Sequence, residues 1–209
     1  LREYYRSLDR KVKQFSPATQ SLFVFLMCNQ DLPQEISTGY IMDKLEYSRI
    51  TVSRSFRELN LSRLFGITIQ RRESALSFLD NRKTTWENAQ EFLRSPILNT
   101  HSLNIKTPVP PGHWSGISAL SRLSMLSEPE TPVVSLYKNN WHHFRQNLID
   151  NNELSINESK TKIEVWRYDP GITAVNDCVD PFSLYLCFKN TEDERVLSAL
   201  DEMIGNISW

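Results

Sequence analysis

At 209 residues, with 40% hydrophobic and 23% charged side chains, the chain has the composition of a globular protein of one large domain or two small ones. No run of eighteen apolar residues occurs, and SLFVFLMC, the longest candidate, is too short to span a bilayer, so a membrane-spanning helix is not expected. The net charge of −1 hides an asymmetry: residues 1–106 carry 16 Lys and Arg against 11 Asp and Glu, whereas residues 107–209 carry 8 against 14. A basic binding domain joined to an acidic effector or partner domain would show this pattern, because neutralising phosphates needs local rather than global charge.

Residues 1–15 read as a helix with Tyr5, Leu8, Val12 and Phe15 on one face and Arg2, Arg6, Arg10 and Lys13 around the rest, offering a packing or homodimerisation surface. No basic stretch followed by an apolar one opens the chain, so no signal peptide is expected, and a first residue other than Met predicts a trimmed chain. Ser16-Pro17 starts a second helix, with Leu22, Phe23, Phe25 and Leu26 on its core side as far as Asn29. Thr38 is placed to cap a short helix over residues 39–46, in which Ile41 and Leu45 share a face. After a turn at 46–48, Ser48 caps a helix over residues 49–59 whose inward stripe is Val52, Phe56 and Leu59. At about 100° per residue, Arg54 then lies nearly opposite that stripe, with Ile50 and Arg57 beside it. Two β-prone runs follow, Phe65–Gln70 and residues 75–79, joined by the link Arg71-Arg72-Glu73-Ser74.

A helix whose N-terminal turns stand free fits the major groove, where Arg reads guanine and small hydroxyl or apolar groups meet thymine methyls. The residues placed to do so are Ser48, Arg49, Ile50, Thr51, Ser53, Arg54 and Arg57, with Arg57 assigned to phosphate because it lies a turn deeper. Arg71 and Arg72 at the hairpin tip would reach the flanking backbone or minor groove, where charge is favoured regardless of sequence. The stretch GYIMDKLEYSRITVSRSFRELNLSRLFGITIQRRESALSFL resembles the winged-helix domain of MarR-like bacterial transcription regulators. That resemblance implies a winged helix-turn-helix binding double-stranded DNA; it departs after the hairpin, where DNRKTTWENA replaces the family's threonine-glycine pair.

Thr84-Thr85-Trp86-Glu87 reads as a capping box opening a helix to about Arg94, with Trp86, Ala89, Phe92 and Leu93 to dock it. The run Lys106-Thr107-Pro108-Val109-Pro110-Pro111-Gly112 is the densest cluster of breakers. The expected organisation is a winged-helix domain over 1–96, a linker over 97–111 and a smaller mixed α/β domain over 112–209, an α+β protein as a whole. In the second half the patterns predict helices at 114–126, 139–150, 180–188 and 191–204 and strands at 132–137 and 162–168, with Asp180-Pro181 capping one helix and Thr191 with Glu194 boxing the last. The phrases HWSGISALSRLSML, WRYDP and VDPFSLYLCFKNTEDERVLSAL resemble the C-terminal half of AbiE-type antitoxins. That resemblance implies a repressor of its own operon whose C-terminal half serves a toxin-like protein partner; a small-molecule effector is the alternative.

Three cysteines, Cys28, Cys178 and Cys187, are odd in number and lie in apolar contexts, which predicts reduced thiols, no disulfide and a cytoplasmic protein. His113, His142 and His143 show no ligand spacing with the cysteines, and no phosphate loop, nucleophile elbow or dinucleotide fingerprint occurs, so no metal, cofactor or catalytic residue is assigned. Asp169, Asp177 and Asp180 form the one acidic cluster suited to Mg²⁺, the basis of a rival reading as a metal-dependent nucleotidyl or phosphoryl transferase. A second rival is a protein-interaction adaptor built on the same helices. Trp114, Trp141, Trp166 and Tyr168 read as core rather than as a ligand pocket.

Overall fold

The computed structural model describes residues 12–70, 73–104, 112–151 and 160–209 of an α+β chain. It divides into two compact units, Leu1–Arg94 and Ser95–Ser208. The second is the longer, and the expected linker is partly strand: Ile97–Asn104 belongs to the sheet of the second unit, while residues 105–111 lie outside the described residues.

In the first unit, the helix expected over 1–15 falls outside the described residues up to 11, and residues 12–15 are not helical. Ser16 is extended, with ψ 157, because it caps the following helix and precedes its proline; the Phe15 N–H is drawn instead to the Phe92 carbonyl at 3.0 Å. Helix α1, Pro17–Cys28, is buried without a break from Thr19 to Met27, as an apolar run with almost no amphipathic bias should be. The largest of its three buried polar side chains, Gln20, is satisfied by bracketing the Arg94 backbone, its amide donating to the carbonyl at 2.8 Å and accepting from the N–H at 3.1 Å. Phe23 on α1 stacks on Trp86 and meets Phe65 edge-on, both at 6.3 Å.

A two-residue strand β1, Ile36–Ser37, leads into α2, Thr38–Leu45, and α3, Arg49–Leu61. The cap of α2 is Ser37, whose Oγ accepts from Tyr40 N at 3.1 Å, not Thr38. Thr38 is buried, and its hydroxyl donates to the Ser74 carbonyl at 3.0 Å. Helix α2 stops at Glu46 in the left-handed region, φ 53. Ser48 caps α3, accepting from Thr51 N at 3.2 Å, and the helix runs two residues beyond its expected end before Arg63, at φ 61, turns the chain. Strands β2, Phe65–Gln70, and β3, Glu73–Phe78, pair antiparallel, and β1 joins the far side of β3 to give the order β1-β3-β2. Glu73 and Ser74 are therefore ladder residues, and the link shrinks to Arg71-Arg72, outside the described residues. Helix α4, Arg82–Ala89, starts two residues before the expected box, because Asn81 Oδ1 takes the Thr84 N–H at 2.9 Å; it ends at Ala89 in a turn, short of Arg94.

The second unit is a four-stranded mixed sheet, β4 (Ile97–Asn104), β7 (Lys160–Trp166), β6 (Val133–Tyr137) and β5 (His113–Trp114) in that spatial order. β6 and β7 are parallel, the other two pairs antiparallel, so α6, Lys138–Asp150, lies on the crossover that parallel strands require. Phe144 and Leu148 of α6 pack on Val134, Leu136 and Ile163. Another cluster joins α5 (Gly116–Leu123), α7 (Pro181–Cys187) and α8 (Glu194–Gly205) to Trp166 and Tyr168. Parallel strands covered in this way lose the in-out alternation, and β7 is buried from Ile163 to Trp166. Asp180 caps α7 through Ser183 N at 2.7 Å as expected, but α8 is capped by Asp193 rather than boxed by Thr191 and Glu194.

Two carboxyl groups, Glu164 and Asp180, interrupt this core. Glu164 is buried, accepting from the Ser115 hydroxyl at 2.7 Å and from the Trp166 indole at 3.4 Å, and burial raises its pKa. Ser115 precedes α5 without capping it through its side chain, and its hydroxyl donates to Glu164. Gly116 follows at φ 51, where a Cβ would come 2.9 Å from Val133 and 3.2 Å from Glu164 Oε1.

Candidate nucleic-acid interface

The inward stripe of α3, Val52, Phe56 and Leu59, is fully buried, joined by Ser55. Burying that stripe fixes the roll of the helix and leaves Ser48, Arg49, Ile50, Ser53, Arg54 and Arg57 exposed on its other side. Thr51 is half-buried, and its hydroxyl shares a 2.9 Å hydrogen bond with Ser48 Oγ, so it completes the cap rather than standing free. Arg49, Arg54 and Arg57 make no ion pair with a described carboxylate, which leaves their guanidinium donors to solvent or a ligand. Ile50 is 65% exposed in the first turn.

The hairpin stands beside α2 and is tied to it at two points. Glu73 Oε1 accepts from Gly39 N at 2.9 Å, placing a carboxylate at the positive end of α2, and Thr38 reaches Ser74. Along one face of β2, burial declines from Phe65, fully buried, through half-buried Ile67 to Ile69 at 77% exposure. Exposure thus rises along β2 toward the link, while the facing end of β3, at Glu73 and Ser74, is tied to α2. Arg71 and Arg72, expected at the hairpin tip, lie outside the described residues. The sequence pattern assigns Thr38 to the cap of α2 and Glu73 to the hairpin link, not to ties between the two, and does not single out Ile69.

The acidic groups weighed for other chemistry have structural partners, whereas His113 Nδ1 is buried without a hydrogen-bond partner among the described residues. Asp180 is buried, holding Ser183 N and the Thr173 hydroxyl, the latter at 2.6 Å. Asp169 caps the turn at Pro170–Ile172 through Gly171 N at 2.9 Å, and Asp177, at φ 60, offers its carbonyl to Trp114 N at 2.7 Å. No group of three or more His, Cys, Asp and Glu side chains among the described residues is arranged to hold a metal ion. His142 and His143 are exposed on α6, and the three cysteines are free thiols, with burial pushing Cys178 up and Cys187 well up from the usual thiol range. Trp166 and Tyr168 are core, whereas Trp114 and Trp141 are half-buried, Trp141 stacking on His101 at 4.3 Å. The open hollow beside β5 and the end of β6, lined by His113, Tyr137, Asn140 and Asp169 among others, has a volume of about 200 Å³, below the range of drug-sized ligand sites. Among the described residues, no helix is long and apolar enough to cross a membrane. Comparison with protein-family models, with curated proteins and with solved structures finds no match to this chain.

Proposed function

We propose that the protein is a sequence-specific double-stranded DNA-binding transcription regulator, with a winged helix in its first unit and α3 as recognition helix. The observation that carries this reading is the exposed face of α3: three arginines without ion-pair partners among the described residues, beside an exposed isoleucine, at the free end of a helix capped by Ser48. In the major groove Arg49 and Arg54 supply bidentate donors for guanine edges and Ile50 an apolar contact for thymine methyls. Arg57, together with Arg71 and Arg72 on the wing, serves phosphates. The acidic second half, −6 by sequence against +5 for residues 1–106, is set apart from DNA and engages a toxin-like protein partner or an effector, in the manner of an antitoxin-like cytoplasmic repressor acting as a homodimer.

The test is retardation of duplex DNA from its own upstream region at graded ionic strength. Counterion release makes log K fall linearly with log salt, by about 0.9 per phosphate neutralised. The expected result is a steep slope plus a preferred sequence. Salt-insensitive or absent DNA binding overturns the reading and favours the adaptor; metal-dependent nucleotide turnover lost on Asp180→Ala favours the transferase.

A further inference from the structure

Met125, at 90%, is the most exposed large apolar side chain among the described residues. It lies two residues beyond α5 and lines a hollow of about 360 Å³ in the second unit, whose opposite wall is the outer face of α8. Half-buried Leu126 and buried Ala199 form the floor, both packed into the core cluster beneath. Glu194, Ser198 and Glu202 recur every fourth residue along α8, so they stand on one face of that helix with a carboxylate at either end. Neither carboxylate makes an ion pair with a described cation. The cation in the lining, Arg195, is held by Asp193 at 3.2 Å, and Arg122, three residues before Met125, is held by Glu128 at 2.9 Å. Residues 190–209 carry five Asp and Glu against one Arg and no Lys, so the charge around the hollow is not balanced by its own chain neighbours.

An apolar trough between two uncompensated carboxylates matches an occupant that brings an apolar side chain between two cations. The exposed walls suit a docked protein surface rather than an enclosed small molecule. No strand lines the hollow, so an extended peptide finds no backbone ladder to join there, and a helix laid in the groove is the mode that fits. Glu194 and Glu202 are eight residues apart on α8, about 12 Å at about 1.5 Å per residue. A helix lying along α8 therefore meets both with a Lys or Arg four residues to either side of its apolar anchor. Met125 suits the anchor's other side, because its unbranched thioether adapts to the shape it meets. A second copy of this chain presenting the same face would bring like charges together. Resting on the assignment of the acidic half to partner binding, and not on DNA binding, we propose that the hollow between Met125 and α8 docks a basic amphipathic helix of a partner protein.

The experiment titrates the full chain by calorimetry with an end-capped, alanine-based helical peptide carrying a central leucine and a lysine four residues to either side. Wild type is expected to bind it saturably and about tenfold or more tighter than the same peptide with glutamates for lysines, the preference shrinking as salt is raised. Met125→Ser is expected to weaken binding about tenfold, the equivalent of one apolar side chain left in water, while Met125→Leu stays within about twofold of wild type. Glu194→Gln combined with Glu202→Gln keeps an acceptor for the Met125 N–H, which Glu202 Oε2 takes at 3.5 Å. That double variant is expected to bind about fivefold more weakly and to lose most of the salt dependence. All three side chains are exposed, so the variants fold. A wild type that binds the basic and acidic peptides alike, or neither, overturns the proposal. Binding indifferent to both Met125→Ser and the double variant also overturns it, since the peptide then sits elsewhere. So does a dimer that Met125→Ser converts to monomer, which makes the hollow a contact between copies. Duplex retardation by the same variants is expected to match wild type: a chain that docks the peptide but retards no duplex loses the DNA reading alone, and one that retards duplex but docks no peptide loses the docking site alone.

Discussion

Arg82 closes the C-terminal end of α1 from more than fifty residues away. Its Nη1 donates to the carbonyls of Leu26 at 2.9 Å and Met27 at 3.2 Å, and its Nη2 to those of Asn29 and Gln30, while the guanidinium lies 5.5 Å over the Phe78 ring. Helix α1 has no basic residue in its own last turn and ends on an extended Asn29 rather than a left-handed cap, so its carbonyls depend on this one cation. Partial burial lowers the guanidinium's pKa, a sign that desolvation offsets part of the gain. Arg82→Met keeps the stem over Phe78 and removes the donors. Hydrogen bonds to a charged group contribute about 1.5–3 kcal/mol each where the partner is left unsatisfied. Only Leu26 and Met27 are buried, so two such bonds less the desolvation relief give about 3 kcal/mol. For a unit of this size that shifts Tm by roughly 12–24 °C. Amide exchange in α1 and urea titration of the variant measure it. Arg82→Lys is expected to recover less than half, since an ammonium lacks the planar fork. A loss under about 1 kcal/mol for Arg82→Met, with α1 amides still protected, would refute the argument that the carbonyls need this residue.

Glu164 has a folded pKa raised by burial, so its neutral form is favoured in the native state, and its contribution to stability is present at acid pH and lost as pH rises through the folded value. Glu164→Gln, which keeps an acceptor for Ser115 and Trp166, is therefore expected to be more stable than wild type at neutral pH and to flatten the fall, as urea midpoints across pH 4 to 8 will show. Arg54→Ala is expected to cost about 1–3 kcal/mol at one base pair and relax specificity there; equal losses on every sequence in a binding titration remove it from base reading. Arg71→Ala or Arg72→Ala is expected to weaken all duplexes alike and reduce the salt slope by about one. Asp180→Ala is expected to destabilise the second unit by about 1–3 kcal/mol through loss of a buried cap while leaving duplex affinity unchanged, as parallel calorimetry and retardation assays will test.

Signals confined to a few residues were legible in the sequence: Ser16-Pro17, Ser48 and Asp180-Pro181 each start the helix they announce. Where two capping side chains compete within one turn, composition misplaced the start, and Ser37 displaced Thr38, Asn81 the box at Thr84, and Asp193 the pair Thr191 and Glu194. Propensity does not rank such neighbours, because the choice depends on what else the hydroxyl meets, as with Thr38 and Ser74. β4 was missed for a different reason: ILNTHSLN is polar and half exposed, and only its partner β7 makes it a strand. The exposed face of α3 was legible because one buried stripe fixes the opposite side of a helix. The long-range polar ties, Glu73 to Gly39, Arg82 to α1 and Ser115 to Glu164, join residues 34, 52 to 56 and 49 positions apart, beyond any local pattern.

The order β4-β7-β6-β5 places the last strand to be made between the first and the third. Among the described residues β4 has no neighbour but β7, whose pairing residues begin at Lys160, opposite Asn104. During synthesis at about 5–20 residues per second, β4 therefore waits roughly 3–14 s with its backbone unpaired before its partner leaves the ribosome. In the first unit the main ladder, β2 with β3, spans a two-residue link, and the strand that waits for a later partner is the two-residue β1, which pairs with β3. Slowing elongation over residues 105–160 is thus expected to prolong the time in which a trailing, unfinished half needs chaperone protection, while the leading half is already folded. The vulnerable period in the life of this protein is set by strand order, before any ligand or partner is met.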